Sequence, residues 1–169
     1  DPEKEIDDVL ARLTSVLRQT TAADRSSESP SAPLPAPSVV RRCMAVAEIS
    51  DRSATSASLE LIGETRRLAD RMGYAAEALL LGKVLPPGCA EALSSAGATG
   101  VVCVGSENPR ADHDHHDRAH FLMAAIRSLE PSFVLIPASL NGRTVAGLAA
   151  GTLGLGLTAD CTGLDIVAE

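Results

Sequence analysis

Aromatic residues are scarce in this sequence. It has no Trp, one Tyr and two Phe among 169 residues, which argues against a planar ring or nucleic-acid base held by aromatic stacking within this chain alone. Basic clusters are also missing beyond Arg41-Arg42 and Arg66-Arg67. Fifteen Lys and Arg face 22 Asp and Glu, a formal charge of −7, so a phosphate backbone is a poor partner and the acidity points to solubility and a basic partner face. The four cysteines, Cys43, Cys89, Cys103 and Cys161, form no C-x-x-C pair. Their expected state is the buried free thiol of a reducing cytoplasm rather than a disulfide or metal set. No apolar run reaches the ~18 residues of a membrane span, and no signal peptide is visible.

What is present is an alternation of two periods. Residues 1–20 place Ile6, Val9, Leu10, Leu13, Val16 and Leu17 on one stripe of an amphipathic helix. So short a helix is marginal alone, and its stripe must dock on the main domain or on a partner. Residues 21–40, rich in Pro, Ser and Ala, read as an extended linker, a plain spacer or a PxxP-type ligand. From 41 to 169, strand-like apolar runs at 43–49, 76–81, 101–104 and 133–136 alternate with helical patterns at 55–72, 87–96, 118–129 and 143–153, and a fifth strand is expected at 161–167. Continuous apolar strands separated by helices specify an α/β fold: a doubly wound, mostly parallel sheet with helices on both faces.

Residues 154–159, GLGLTA, spell G-x-G-x-x-A. A dinucleotide fingerprint needs a strand before it and a helix after it. Here a helical pattern precedes and a strand pattern follows, so Gly154 reads as a helix stop. After the first strand, EISDRSATS lacks both the G-x-x-x-x-G-K-[ST] loop and the serine–glycine–glycine loop of ATP pyrophosphatases. The stretch ADHDHHDRAH, 111–120, holds all four histidines. His116 and His120, at i and i+4, form a weak metal pair that Asp112 or His113 could complete, against the simpler reading of a polar loop capped by Asp114 or Asp117. Asn141, Gly142 and Arg143 follow the fourth strand at the carboxyl edge of the sheet, where Arg143 would meet an anion or stand exposed in a turn. Thr158, Asp160 and Thr162 read as the polar residues of a turn into the last strand. No catalytic constellation can be assembled from these residues.

Several motifs together resemble a known family. VAEIS at 46–50 with SLELIGETRRLADRMG at 58–73, AEALSSAGATGVVCVG at 90–105, and above all EPSFVLIPASLNGRTVAGLAAGTLGLGLTADCTGLDI at 130–166 are similar to the N-terminal domain of the electron transfer flavoprotein alpha subunit. The resemblance implies an adenine nucleotide alpha hydrolase-like, Rossmann-like domain that binds no cofactor by itself. FAD would sit in a further C-terminal domain, absent from these residues, so that the chain is a piece of a longer protein or a stand-alone module. A beta-type subunit of related fold would pair with it, and acyl-CoA dehydrogenases or related enzymes would donate electrons. It implies an electron-carrier component rather than a catalyst. Asn141, Gly142, Arg143, Thr158, Asp160, Cys161 and Thr162 match the family's turn motifs and would shape the face toward the flavin domain or beta subunit. The helix after Arg143 departs from the family pattern at Gly147, Leu148 and Thr152, where a proline and basic residues are usual. The alternatives of another class are a nucleotide-binding, stress-protein-like module and a protein-interaction module of related fold.

Overall fold

The strand β1 (Arg42–Ala47) is buried along all but its first residue, as only a strand covered on both faces can be. In the computed structural model, which describes residues 41–82, 84–106 and 114–167, it lies inside a parallel sheet. β4 (Ala75–Leu81) pairs on one side and β6 (Val134–Leu135) on the other, and β5 (Gly100–Val104) lies beyond β4, giving the order β5-β4-β1-β6. The expected N-terminal helix and linker lie outside the described residues.

Four helices connect the strands. α1 (Ser56–Met72) opens on Thr55, whose hydroxyl accepts from Ser58 N at 3.2 Å, and stops at Gly73 in the left-handed region. Its buried residues Ser58, Ile62, Thr65, Leu68 and Ala69 recur at helical spacing. α2 (Cys89–Ser95) and α3 (His115–Leu129) follow, the latter capped by Asp114. α4 (Leu140–Leu153) is capped by Ser139 and ends at Gly154, φ 65°. Gly154 is therefore the helix stop that its sequence context predicts.

The two sheet faces divide the core. Ala45, Ala47 and Ala78 pack with Ile62 of α1 and Leu93 of α2; their small side chains let the helices approach closely. Residues one step out of phase, Met44, Val46 and Leu79, are equally buried and point to the opposite face. α3 lies against β4 and β5 and packs on α4. Strand order runs outward from β1 to β5 and then reverses to β6, and right-handed crossovers at such a reversal put successive helices on opposite faces. The doubly wound class is borne out. Each fully buried Ile62 or Leu93 side chain contributes roughly 2 kcal/mol of hydrophobic stabilisation.

Three expectations are corrected. The first strand does not run to Ile49. It ends at Ala47, and Ile49–Ser50 (β2) pairs antiparallel with Ser53–Ala54 (β3) in a small hairpin. The fourth helix begins at Leu140, three residues before Arg143, because the Ser139 hydroxyl accepts from Gly142 N at 2.9 Å and starts the helix there. None of the described residues 161–167 is in a strand. They run irregularly beside α1, where arginine side chains rather than a neighbouring strand take up their carbonyls: Arg67 donates to Leu164 O at 2.6 Å and Arg71 to Ile166 O at 3.0 Å. β6 is left at the edge of the sheet.

Candidate functional site at the carboxyl edge of the sheet

The sheet reverses direction between β1 and β6, and the crevice at their carboxyl ends is where open α/β folds receive ligands. Glu48 follows β1 there and ties its walls together. Its backbone N–H donates to Ser58 Oγ at 2.8 Å, and its carbonyl accepts from Thr55 N at 3.0 Å. Its carboxylate accepts from Ser139 Oγ at 2.6 Å. Since Thr55 caps α1 and Ser139 caps α4, one residue links the N-termini of both helices flanking the crevice. Sequence reasoning overlooked Glu48. Its signal was a carboxylate closing an otherwise apolar strand.

Asn141, Gly142 and Arg143 form the first turn of α4 rather than the loop before it. Gly142 is buried, and a Cβ built there would overlap Pro137 O and sit 3.1 Å from that residue's carbonyl carbon and 3.2 Å from Ile136 Cγ2. Only glycine lets the helix start this close to the end of β6. Asn141 is exposed. Arg143 donates from Nε to Ala138 O at 3.0 Å and pairs with Asp160 at 2.7 Å. Both side chains are more than half exposed, so the pair positions the loop more than it stabilises the fold. Asp160 itself takes a left-handed backbone, φ 54°. Cys161 Sγ lies 3.8 Å from Thr158 O, and Thr158, Cys161 and Thr162 are all exposed. Gly142, Arg143, Thr158, Asp160 and Cys161 line one groove of about 860 Å³ beside β6, whereas Asn141 and Thr162 stay outside its lining.

Elsewhere the structure is plain. Asp114 caps α3 by accepting from His116 N at 2.8 Å, the role that the capping reading gives it. Asp112 and His113 lie outside the described residues, and no group of three or more His, Cys, Asp or Glu among the described ones is placed to hold a metal ion. All four cysteines are free thiols. Burial pushes the Cys43 and Cys103 thiols up, whereas Cys161 is exposed rather than buried. Among the described residues no helix is long and apolar enough to cross a membrane.

GLGLTA does not form a dinucleotide fingerprint among the described residues. Gly154 ends a helix, and the residues after it start none, so no N-terminal dipole faces the glycines. At the crevice, each cap hydroxyl already takes one first-turn N–H, and the Glu48 carboxylate lies beside the α4 N-terminus, where a phosphate would bind in a nucleotide-binding relative of the fold.

Comparison with known proteins agrees with the motifs. A family model described as electron transfer flavoprotein domain matches residues 43–169. Protein FixB of Rhizobium meliloti (strain 1021) is 35% identical over 111 residues, covering 64% of this chain and 31% of that protein. The electron transfer flavoprotein subunit alpha of Thermoanaerobacterium thermosaccharolyticum is 36% identical over 110 residues, 64% of this chain and 32% of the relative. The acryloyl-CoA reductase electron transfer subunit beta of Anaerotignum propionicum is 38% identical over 108 residues, 63% and 29%. The chain thus spans about a third of the length of the relatives it matches. With the match running from the first strand to the last residue, the chain belongs to the electron transfer flavoprotein domain family.

Proposed function

We propose that residues 41–169 are the N-terminal scaffold domain of an electron transfer flavoprotein alpha-type subunit. The domain pairs with a beta-type subunit and underlies a flavin-binding domain. FAD held outside these residues carries electrons from acyl-CoA dehydrogenases or related dehydrogenases to an acceptor. The observation that carries this reading is the family match over the whole α/β unit, combined with a switch-point crevice whose anion position is taken by Glu48. A domain with the family's fold and no cradle of its own suits support, not chemistry. Four cysteines without a disulfide support a reducing cytoplasm as its setting.

On this reading Asn141, Gly142, Arg143, Thr158, Asp160, Cys161 and Thr162 shape the face turned to the flavin domain or the beta subunit. Exposed Leu140, Leu155 and Leu157 beside them supply the apolar contacts such a face needs. The test is co-expression of the protein with an electron transfer flavoprotein beta-type subunit. Co-purification at equal stoichiometry is expected. Separate elution of the two chains at micromolar concentration would sink the proposal.

A further inference from the structure

The chain after α4 stays close to the domain, and two separate ties hold it there. At the near end Asp160 is bound by Arg143, which also grips Ala138 O. At the far end Arg67 donates to Leu164 O at 2.6 Å, and Arg71 donates to Ile166 O at 3.0 Å and to the Asp165 carboxylate. Arg67 Nη1 lies 3.9 Å from that carboxylate, which also accepts from Ile166 N at 2.9 Å. Glu64 holds Arg67 in place from the preceding turn of α1, at 2.6 Å.

Between the ties the segment passes the groove beside β6, and Leu157, Ala159 and Leu164 line it together with Leu61 and Ala146. Beneath lies the outer side of β6. Met44 N donates to Phe133 O, and Met44 is in register with Val134; a parallel ladder then turns Leu135 toward β1 and the N–H and C=O of Val134 outward. An unpaired edge beside apolar side chains is the kind of surface that proteins keep covered.

The cover itself is weakly packed. Leu155 and Leu157 remain 47% and 54% exposed, and Leu164 and Ile166 are half-buried. Its anchoring therefore falls on exposed charge-assisted contacts, each worth about 0–1 kcal/mol and screened by salt. We propose that residues 155–167 are a salt-sensitive strap that closes the groove along the outer edge of β6, latched by Arg143 at one end and by Arg67 and Arg71 at the other. The strap is a property of the domain and stands apart from the electron-transfer reading.

Backbone ¹⁵N order parameters of the full chain test it, in parent protein, in the Asp160→Asn/Asp165→Asn double variant, and in Arg66→Gln. The last breaks the Arg66–Asp70 pair on α1 without touching the strap. In low salt the strap is expected to be as rigid as the helices, near 0.85, falling below about 0.6 in ~0.5 M NaCl and in the double variant. α3 stays unchanged, Arg66→Gln behaves as parent, and binding of anilinonaphthalene sulfonate rises as the groove opens. A strap already below about 0.6 in the parent at low salt overturns the proposal. So does one that stays rigid in both high salt and the double variant.

Discussion

Gly142 and Gly147 lie five residues apart on α4 and predict opposite responses to one added methyl group. At Gly142 the new Cβ meets the backbone of Pro137, which cannot rotate away. Gly142→Ala is therefore expected to destabilise the chain by about 3 kcal/mol, the upper part of the range for overpacking. At Gly147 nothing lies within 4 Å, and Gly147→Ala is expected to stabilise by about 1 kcal/mol through helix propensity alone. Urea unfolding of the two variants checks both signs in one experiment. Equal behaviour would mean that the first turn of α4 is not seated on the end of β6 as described. The hairpin after β1 offers a second residue-scale test. Its turn puts Asp51 at φ 49° and Arg52 at φ 64°, both left-handed, as a type I′ turn requires and as side-chain-bearing residues resist. Replacing the pair by Asn-Gly should raise stability by about 1 kcal/mol, read as a higher urea midpoint at unchanged m-value.

At the scale of elements, the strap against α1 predicts a titration. The Asp165 carboxyl is held below the ordinary aspartate range, first by the Ile166 N–H it accepts and then by the positive charge of Arg71. A carboxylate with a lowered folded-state value contributes at pH above the unfolded aspartate value, and that contribution is lost as pH falls through the lowered one. The Asp165 side-chain carboxyl, followed by NMR, should titrate below an unstructured aspartate. In Arg71→Gln its midpoint should move up. An unmoved midpoint would detach Arg71 from the clasp. The same elements show what a sequence can and cannot disclose. Helix caps and stops are local, so Gly154 and Asp114 were readable from their neighbours. The start of α4 was not, because Asn141-Gly142-Arg143 has turn chemistry and only the Ser139 hydroxyl, three residues before Gly142, shows that the helix has already begun. The apolar residues of 161–167 suggested a strand, but periodicity does not say whether a neighbouring edge or a side chain takes the backbone. Here Arg67 and Arg71, 97 and 95 residues away in sequence, do so. The partner of Glu48 was hidden for the same reason, since Ser139 is 91 residues distant.

For the whole molecule, the question is whether an open α/β sheet with the strand order of a nucleotide-binding half has kept that capacity. Two helix N-termini converge at the reversal between β1 and β6, which favours an anion. Against this stand the Glu48 carboxylate bound to Ser139 and cap hydroxyls that each already accept one first-turn N–H, that of Ser58 in α1 and that of Gly142 in α4. Coulomb repulsion between a carboxylate and a phosphate at contact distance, in a partly buried crevice, outweighs the fractional charge of two helix ends. The chain's net charge of −7 adds an unfavourable long-range field. Calorimetric titration of the chain with ATP, AMP or FAD is therefore expected to give no binding tighter than about 1 mM. On the proposed reading the family's flavin is held by other residues, which is the division of labour that a scaffold domain implies. A Kd in the micromolar range for either adenine nucleotide would show that Glu48 yields the crevice to phosphate, and the nucleotide-binding alternative would replace the scaffold reading. Micromolar binding of FAD alone would overturn the assignment of the cofactor to residues outside this domain.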